Sequence, residues 1–160
     1  MKIEQLMSRT VRTCRATDTL NHAAQLMWEN DCGCVPVVDE DERAVGMITD
    51  RDVCMAAYTQ GRLLDALPVA SAMARDLRSC HATDTIVEAE SIMRAAQVRR
   101  LPVVDAAGRP IGLLSLNDIA REVARERGTK RKAAVGNEEL AVTLAAICTP
   151  WGHREVETAA

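Results

Sequence analysis

The chain repeats itself. Displacing the sequence by 66 residues lays Met7–Cys54 on Met73–Ala120 without a gap, and 17 of the 48 aligned positions are identical. "CRATDTL" meets "CHATDTI", "VPVVD" meets "LPVVD", and "GMITDRD" (46–52) meets "GLLSLND" (112–118). Many mismatches keep apolar character, as at Val11/Leu77, Leu26/Ile92, Val45/Ile111 and Val53/Ile119. An ungapped match of this quality marks a duplicated unit, so the fold must be assembled from two copies of one supersecondary block.

Each copy reads β-α-β-β-α. A short extended piece (Val11–Cys14; Leu77–Cys80) runs into Thr-Asp-Thr, whose side chains suit a helix start, and Thr85 with Glu88 has the spacing of a capping box. Leu20, Ala23, Ala24 and Met27 share one face of the first helix; Ile86, Ala89, Ile92 and Met93 share the same face in the second copy. "VPVVD" and "LPVVD" are Val-rich runs closed by turn-prone "EDER" and "AAGR", and "AVGMIT" and "PIGLLS" read as the next strands. The Asp-containing end of each repeated phrase then opens a helix. Pro36 and Pro102 predict that their strands begin there or lie at a sheet edge.

Composition narrows the class. A length of 160 residues suits one compact domain or two small packed units. The chain has no Phe, two Trp and one Tyr, so its core must be aliphatic, Met and Ala. A net charge of −3 from 20 basic and 23 acidic residues, intermixed, points to neither nucleic acid nor an anionic membrane. Leu140–Gly152 is too short to span a bilayer, and the first ten residues lack the apolar stretch of a secretion signal. The expectation is a soluble cytoplasmic protein. Six cysteines then read as reduced thiols, with Cys14 and Cys80 as equivalent buried positions. Cys32 and Cys34 lack a second pair at metal-binding spacing, and His22, His81 and His153 form no cluster, so no metal site is expected. No nucleophile elbow, Walker loop or metal-binding helix pair is present, so no catalytic residue is assigned.

The duplicated unit, the "PVVD" strand and the closing Gly-apolar-apolar-Thr/Ser-x-x-Asp together resemble a tandem pair of cystathionine-β-synthase (CBS) domains, also called a Bateman module. The resemblance covers residues 1 to 127. It implies an α/β (α+β) fold in which two repeats, 1–62 and 69–127, pack sheet to sheet about a pseudo-two-fold axis, with 128–160 as a C-terminal extension. It implies a non-catalytic sensor that requires no cofactor but binds an adenosine-containing regulatory ligand: AMP, ADP, ATP, NAD or S-adenosylmethionine. It also implies clefts between the repeats, a homodimer of such pairs, and output through a separate partner protein.

On that pattern Asp52 and Asp118 hold ribose, with Thr49 and Ser115 beside them. The chemistry agrees, since an ionised carboxylate accepts from two adjacent hydroxyls and a helix N-terminus favours an anion. Thr-x-x-Asp and Ser-x-x-Asp are equally a helix-capping signature, and both roles stay open. The two copies differ before the "PVVD" strand, where Arg99, Arg100 and Leu101 in one answer Gly33, Cys34 and Val35 in the other. The resemblance puts Thr49 and Asp52 in one cleft with Arg99 and Arg100, whose forked donors suit phosphate. Ser115 and Asp118 then share theirs with Gly33, Cys34 and Val35. Gly46 and Gly112 are expected to allow close backbone approach before the site.

Residues 56–70 read as a linker. The extension carries a basic connection with Lys130, Arg131 and Lys132, then a short helix with Leu140, Leu144 and Ile147 at helical spacing, ended by Pro150. Those cations, with Arg125 and Arg127, have no aromatic stacking partners, so nucleic acid is not expected. The alternative function is an interaction scaffold that keeps the fold and binds no small molecule.

Overall fold

The structure, a computed structural model, describes residues 1–127 and 137–149. Lys130, Arg131, Lys132, Pro150 and His153 lie outside the described residues. The first copy runs β1 (Cys14–Arg15), α1 (Leu20–Glu29), β2 (Cys34–Val38), β3 (Ala44–Thr49), α2 (Asp50–Gln60); the second runs β4 (Cys80–His81), α3 (Ile86–Ala96), β5 (Arg100–Val104), β6 (Pro110–Ser115), α4 (Leu116–Arg127). A further helix, α5 (Asn137–Cys148), follows. Each copy forms a mixed three-stranded sheet, ordered β1-β2-β3 and β4-β5-β6, with the first pair parallel and the second antiparallel.

Local chemistry sets these boundaries. Thr19 caps α1, its side chain accepting from the His22 N–H at 3.2 Å. Thr85 and Glu88 close the expected capping box on α3. Gly61, at φ 58°, ends α2 in the left-handed conformation that a side chain resists. The opening strands are shorter than the sequence suggests, because β1 and β4 pair only at Cys14↔Val37, Arg15↔Val38 and their counterparts.

Pro36 and Pro102 neither begin their strands nor sit in edge strands. Both lie inside the central strand of a sheet, opposite Met47 and Leu113. Met47 instead exchanges backbone bonds with Ala74, and Leu113 with Ser8, so each proline faces away from its antiparallel neighbour. Its missing N–H therefore falls on the side of β1 or β4, which reach only to Val37 and Val103. The donor is lost where no strand needs it.

Those same bonds tie the halves together. Ala74, leading into the second copy, pairs with β3 of the first; Ser8, leading into the first, pairs with β6 of the second. The side chains follow: Ile3 and Met7 are buried in the core built on Met93, Leu101 and Ile119, while Leu67, Val69 and Met73 are buried in the core with Leu20, Val35 and Ile48. Residues 56–70, expected as a plain linker, thus supply part of the first copy's core. Gly46 and Gly112 serve this crossing. A Cβ at Gly46 would lie 2.7 Å from the Ala74 carbonyl oxygen, and one at Gly112 would lie 2.6 Å from Met7 Sδ and 3.1 Å from the Ser8 carbonyl oxygen. The expected close approach occurs, with the crossing segment as the partner.

Candidate functional site

Where β3 turns into α2, the Thr49 hydroxyl donates to Asp52 Oδ2 at 2.6 Å and accepts from the Asp52 N–H at 3.2 Å, while the Thr49 N–H reaches the same Oδ2 at 2.9 Å. Ser115 and Asp118 repeat this at the start of α4, at 2.6, 3.2 and 2.8 Å. Both phrases are therefore complete capping boxes that orient hydroxyl and carboxylate at a strand end. Each arrangement occupies one carboxylate oxygen. The second oxygen of Asp118 takes a donor from Arg121, whereas among the described residues that of Asp52 has none.

Two clefts lie between the copies, and their walls correspond at the 66-residue offset. One, of about 310 Å³, sets Ser115 and Asp118 facing Gly33 and Cys34. The other, of about 720 Å³, sets Thr49 facing Arg99 and Arg100. Asp52 is not on that second wall, and Val35 and Leu101, both fully buried, line neither cleft. Backbone bonds hold each helix start against the entry of the neighbouring strand in its own repeat, Asp50 N–H to the Gly33 carbonyl at 3.3 Å and Leu116 N–H to the Arg99 carbonyl at 2.9 Å.

The expected charge asymmetry is corrected here. The Ser115 cleft is not uncharged, because Arg12, Arg100 and Arg121 all line it, beside the carboxylate of Asp31. Arg100 serves both clefts. A Cβ at Gly33 would lie 2.9 Å from its Nη2 and 3.0 Å from Asp50 Oδ2, so glycine there lets guanidinium and carboxylate lie across the strand entry. Cys34 is buried beneath; desolvation pushes its thiol up to about 11, against the opposing pull of Arg100. In the Thr49 cleft, Arg78 is paired with Asp76 at 2.8 Å, and Arg51 and Arg99 stand nearby. At the position of Asp76 the Ser115 cleft has Thr10, and among the described residues Arg12 bonds only neutral Asn30, at 3.1 Å. Arg12 and Arg78 are identical across the repeat, which was the available signal for them; Arg121 answers Met55 and left none. Gln97, ending α3 at φ 53°, also lines the Thr49 cleft.

All six cysteines are unpaired, and no three His, Cys, Asp or Glu residues among those described could hold a metal ion. Among the described residues no helix is long and apolar enough to cross a membrane.

A duplicated unit of this topology, with facing clefts between the copies, defines a tandem domain pair. The chain belongs to the CBS domain family, which matches residues 3–58 and 69–125. It is 33% identical over 118 residues to the CBS domain-containing protein YhcV of Bacillus subtilis, covering 74% of this chain and 82% of that protein. Its fold is that of the CBS domain pair of protein MJ0100, solved in complex with 5′-methylthioadenosine and S-adenosyl-L-methionine (TM-score 0.72, 21% identity, 79% and 98% of the two chains). It is likewise that of CBSX2, solved in complex with AMP (TM-score 0.67, 21% identity, 79% and 98%).

Proposed function

We propose that this CBS pair is a non-catalytic sensor that binds an adenosine-containing nucleotide in the clefts between its two repeats and passes the occupancy to a separate partner. The observation that carries this reading is the composition of the Ser115 cleft. A strand-end hydroxyl and a carboxylate at a helix start stand in one wall with Arg12, Arg100 and Arg121 close by. A ribose needs acceptors for its hydroxyls, and a phosphate needs forked donors and the N–H groups of a helix start. The cleft offers all of these within a volume suited to a small ligand. Solved pairs of the same fold hold AMP, 5′-methylthioadenosine and S-adenosylmethionine, which supports the ligand class.

The Thr49 cleft is the second site, with Arg78, Arg99 and Arg100 for phosphate. Six free thiols fit a reducing cytoplasm. Exposed Trp28, Met55, Tyr58 and Leu63 give the first repeat an apolar surface on which two pairs could join as a homodimer. The scaffold reading has one observation in its favour: both hydroxyl–carboxylate pairs are fully explained as helix caps.

Melting curves separate the two readings. A ligand that binds only the folded chain, at a hundredfold excess over its dissociation constant, adds about 2.7 kcal/mol of stability. AMP, ATP, NAD or S-adenosylmethionine should raise the melting temperature, and Arg121→Ala should weaken the phosphate-bearing ligands more than adenosine. A melting temperature indifferent to all of them leaves the scaffold.

A further inference from the structure

α5 is where the two halves stop being copies. It packs on α3 and α4, with Ile147 buried in the second repeat's core and Leu140 against it. Arg94 Nη1 donates to the Thr143 hydroxyl at 2.9 Å. At the far end, Gln97 Nε2 donates to the carbonyls of Ala146 and Thr149, at 3.1 and 3.4 Å. This last turn forms part of the Thr49 cleft, whose walls include Ile147, Cys148 and Thr149. The corresponding wall of the Ser115 cleft is formed by Asp31 and Cys32, and among the described residues no α5 counterpart lines it.

The seat is built against a cost. Glu90 of α3 is fully buried, and among the described residues neither of its carboxylate oxygens has a hydrogen-bond partner. Glu139 of α5 adds a like charge, and Arg94 opposes it. A buried carboxylate without a donor disfavours the packed state, so α5 is held with little to spare.

We propose that α5 is a ligand-operated latch: a phosphate-bearing adenosine ligand entering the Thr49 cleft unseats α5 from α3 and α4, and the freed helix is the signal read by a partner. This rests on the nucleotide reading of the clefts. Helix C-termini carry partial negative charge on their last carbonyls, and the last turn of α5 presents it to this cleft. Arg78, Arg99 and Arg100 gather a phosphate beside that turn, and the Gln97 amide that holds it is within the same cleft. Adenosine, lacking phosphate, brings no charge against it.

Hydrogen exchange on the full chain, with calorimetry on the same samples, tests the latch. AMP should protect amides 49–52 and accelerate exchange across 138–149 about tenfold, whereas adenosine should change the latter less than about twofold. Leu140 is half-buried in α5 and lines neither cleft, so Leu140→Asp loosens the helix without touching the site. Coupling is reciprocal, and this variant should bind AMP about tenfold more tightly. AMP reaching 49–52 only in the variant would also support the latch, with the cleft closed in the parent. Protection at 49–52 with 138–149 unmoved would overturn it and leave the nucleotide reading standing. So would binding that never touches 49–52 in either protein. Absence of binding to both proteins would remove the nucleotide reading and the latch together. Should Leu140→Asp fail to fold by circular dichroism, exchange in the unaltered chain decides.

Discussion

Asp52 and Asp118 each commit one oxygen to a capping box; the other oxygen of Asp118 meets Arg121 in the Ser115 cleft, whereas Asp52 lies off the wall of the Thr49 cleft. Capping and binding are therefore compatible at Asp118, where alanine should report on both, whereas Asp52→Ala should report on the cap alone. Loss of a cap costs about 1 kcal/mol of stability. Asp118→Ala should show that loss in melting curves and, in addition, a fall in AMP affinity beyond what its stability change explains. Affinity unchanged once the protein is folded would leave capping as the residue's whole role. The thiols give a second residue-scale test. Burial, with the charges of Asp18 and Asp84 adding, pushes Cys14 and Cys80 up to about 12, and burial raises Cys34 to about 11, from an ordinary 9.0. An unfolded chain would ionise these thiols above about pH 9 while the folded chain resists, so stability present below pH 9 is lost as pH rises toward those values. Serine at all three positions should flatten the alkaline limb of the stability profile. Alkylation of the native chain near pH 8 should reach exposed Cys54 and Cys148 before the buried three.

At the scale of elements, what the sequence revealed was local. Thr19, Thr85 and Glu88 announce their helices because a cap acts within four residues. The ends of β3 and β6 follow from the repeated phrase for the same reason. Burial made by distant segments was not legible. Ile3 and Met7 precede the first repeat yet complete the second's core, and nothing near them in sequence reports that crossing. The same holds at the clefts, where Arg12 and Arg121 come together from opposite repeats. Glu90 looks like a solvent-facing residue of α3 until α5 covers it. Its carboxyl is raised above the ordinary 4.5, first by desolvation, then by Glu139, with Arg94 pulling the other way. A raised carboxyl contributes stability at acid pH that is lost as pH climbs through its folded value. Glu90→Gln should therefore stabilise the chain at pH 7, by about 1–3 kcal/mol, the scale of an unpaired buried group. The gain should shrink as pH falls toward 4.5. A destabilised variant at pH 7 would mean that the carboxylate has a role in holding α5.

Across the whole molecule, the exchange of leading segments makes two repeats one cooperative body. Ala74 and Ser8 each add a rung to the other half's sheet, and each core contains side chains from the other's lead-in. Ile3→Ala removes a fully buried side chain from the second repeat's core, which costs about 2–5 kcal/mol. Hydrogen exchange should show α1 and α3 losing protection together, because neither sheet keeps its crossing strand alone. Loss confined to α3 would mean that the repeats unfold separately. This joined construction also gives the clefts their value, since a ligand between the halves touches strands and helix starts of both. Amide chemical-shift mapping of the full chain during titration with AMP tests that placement most directly. Progressive shifts should concentrate at residues 10–12, 33–34 and 115–121, with 49–52 and 97–100 following as the second cleft fills. Shifts clustered instead around Trp28 and Val53, or none at millimolar AMP, would contradict a nucleotide site between the repeats.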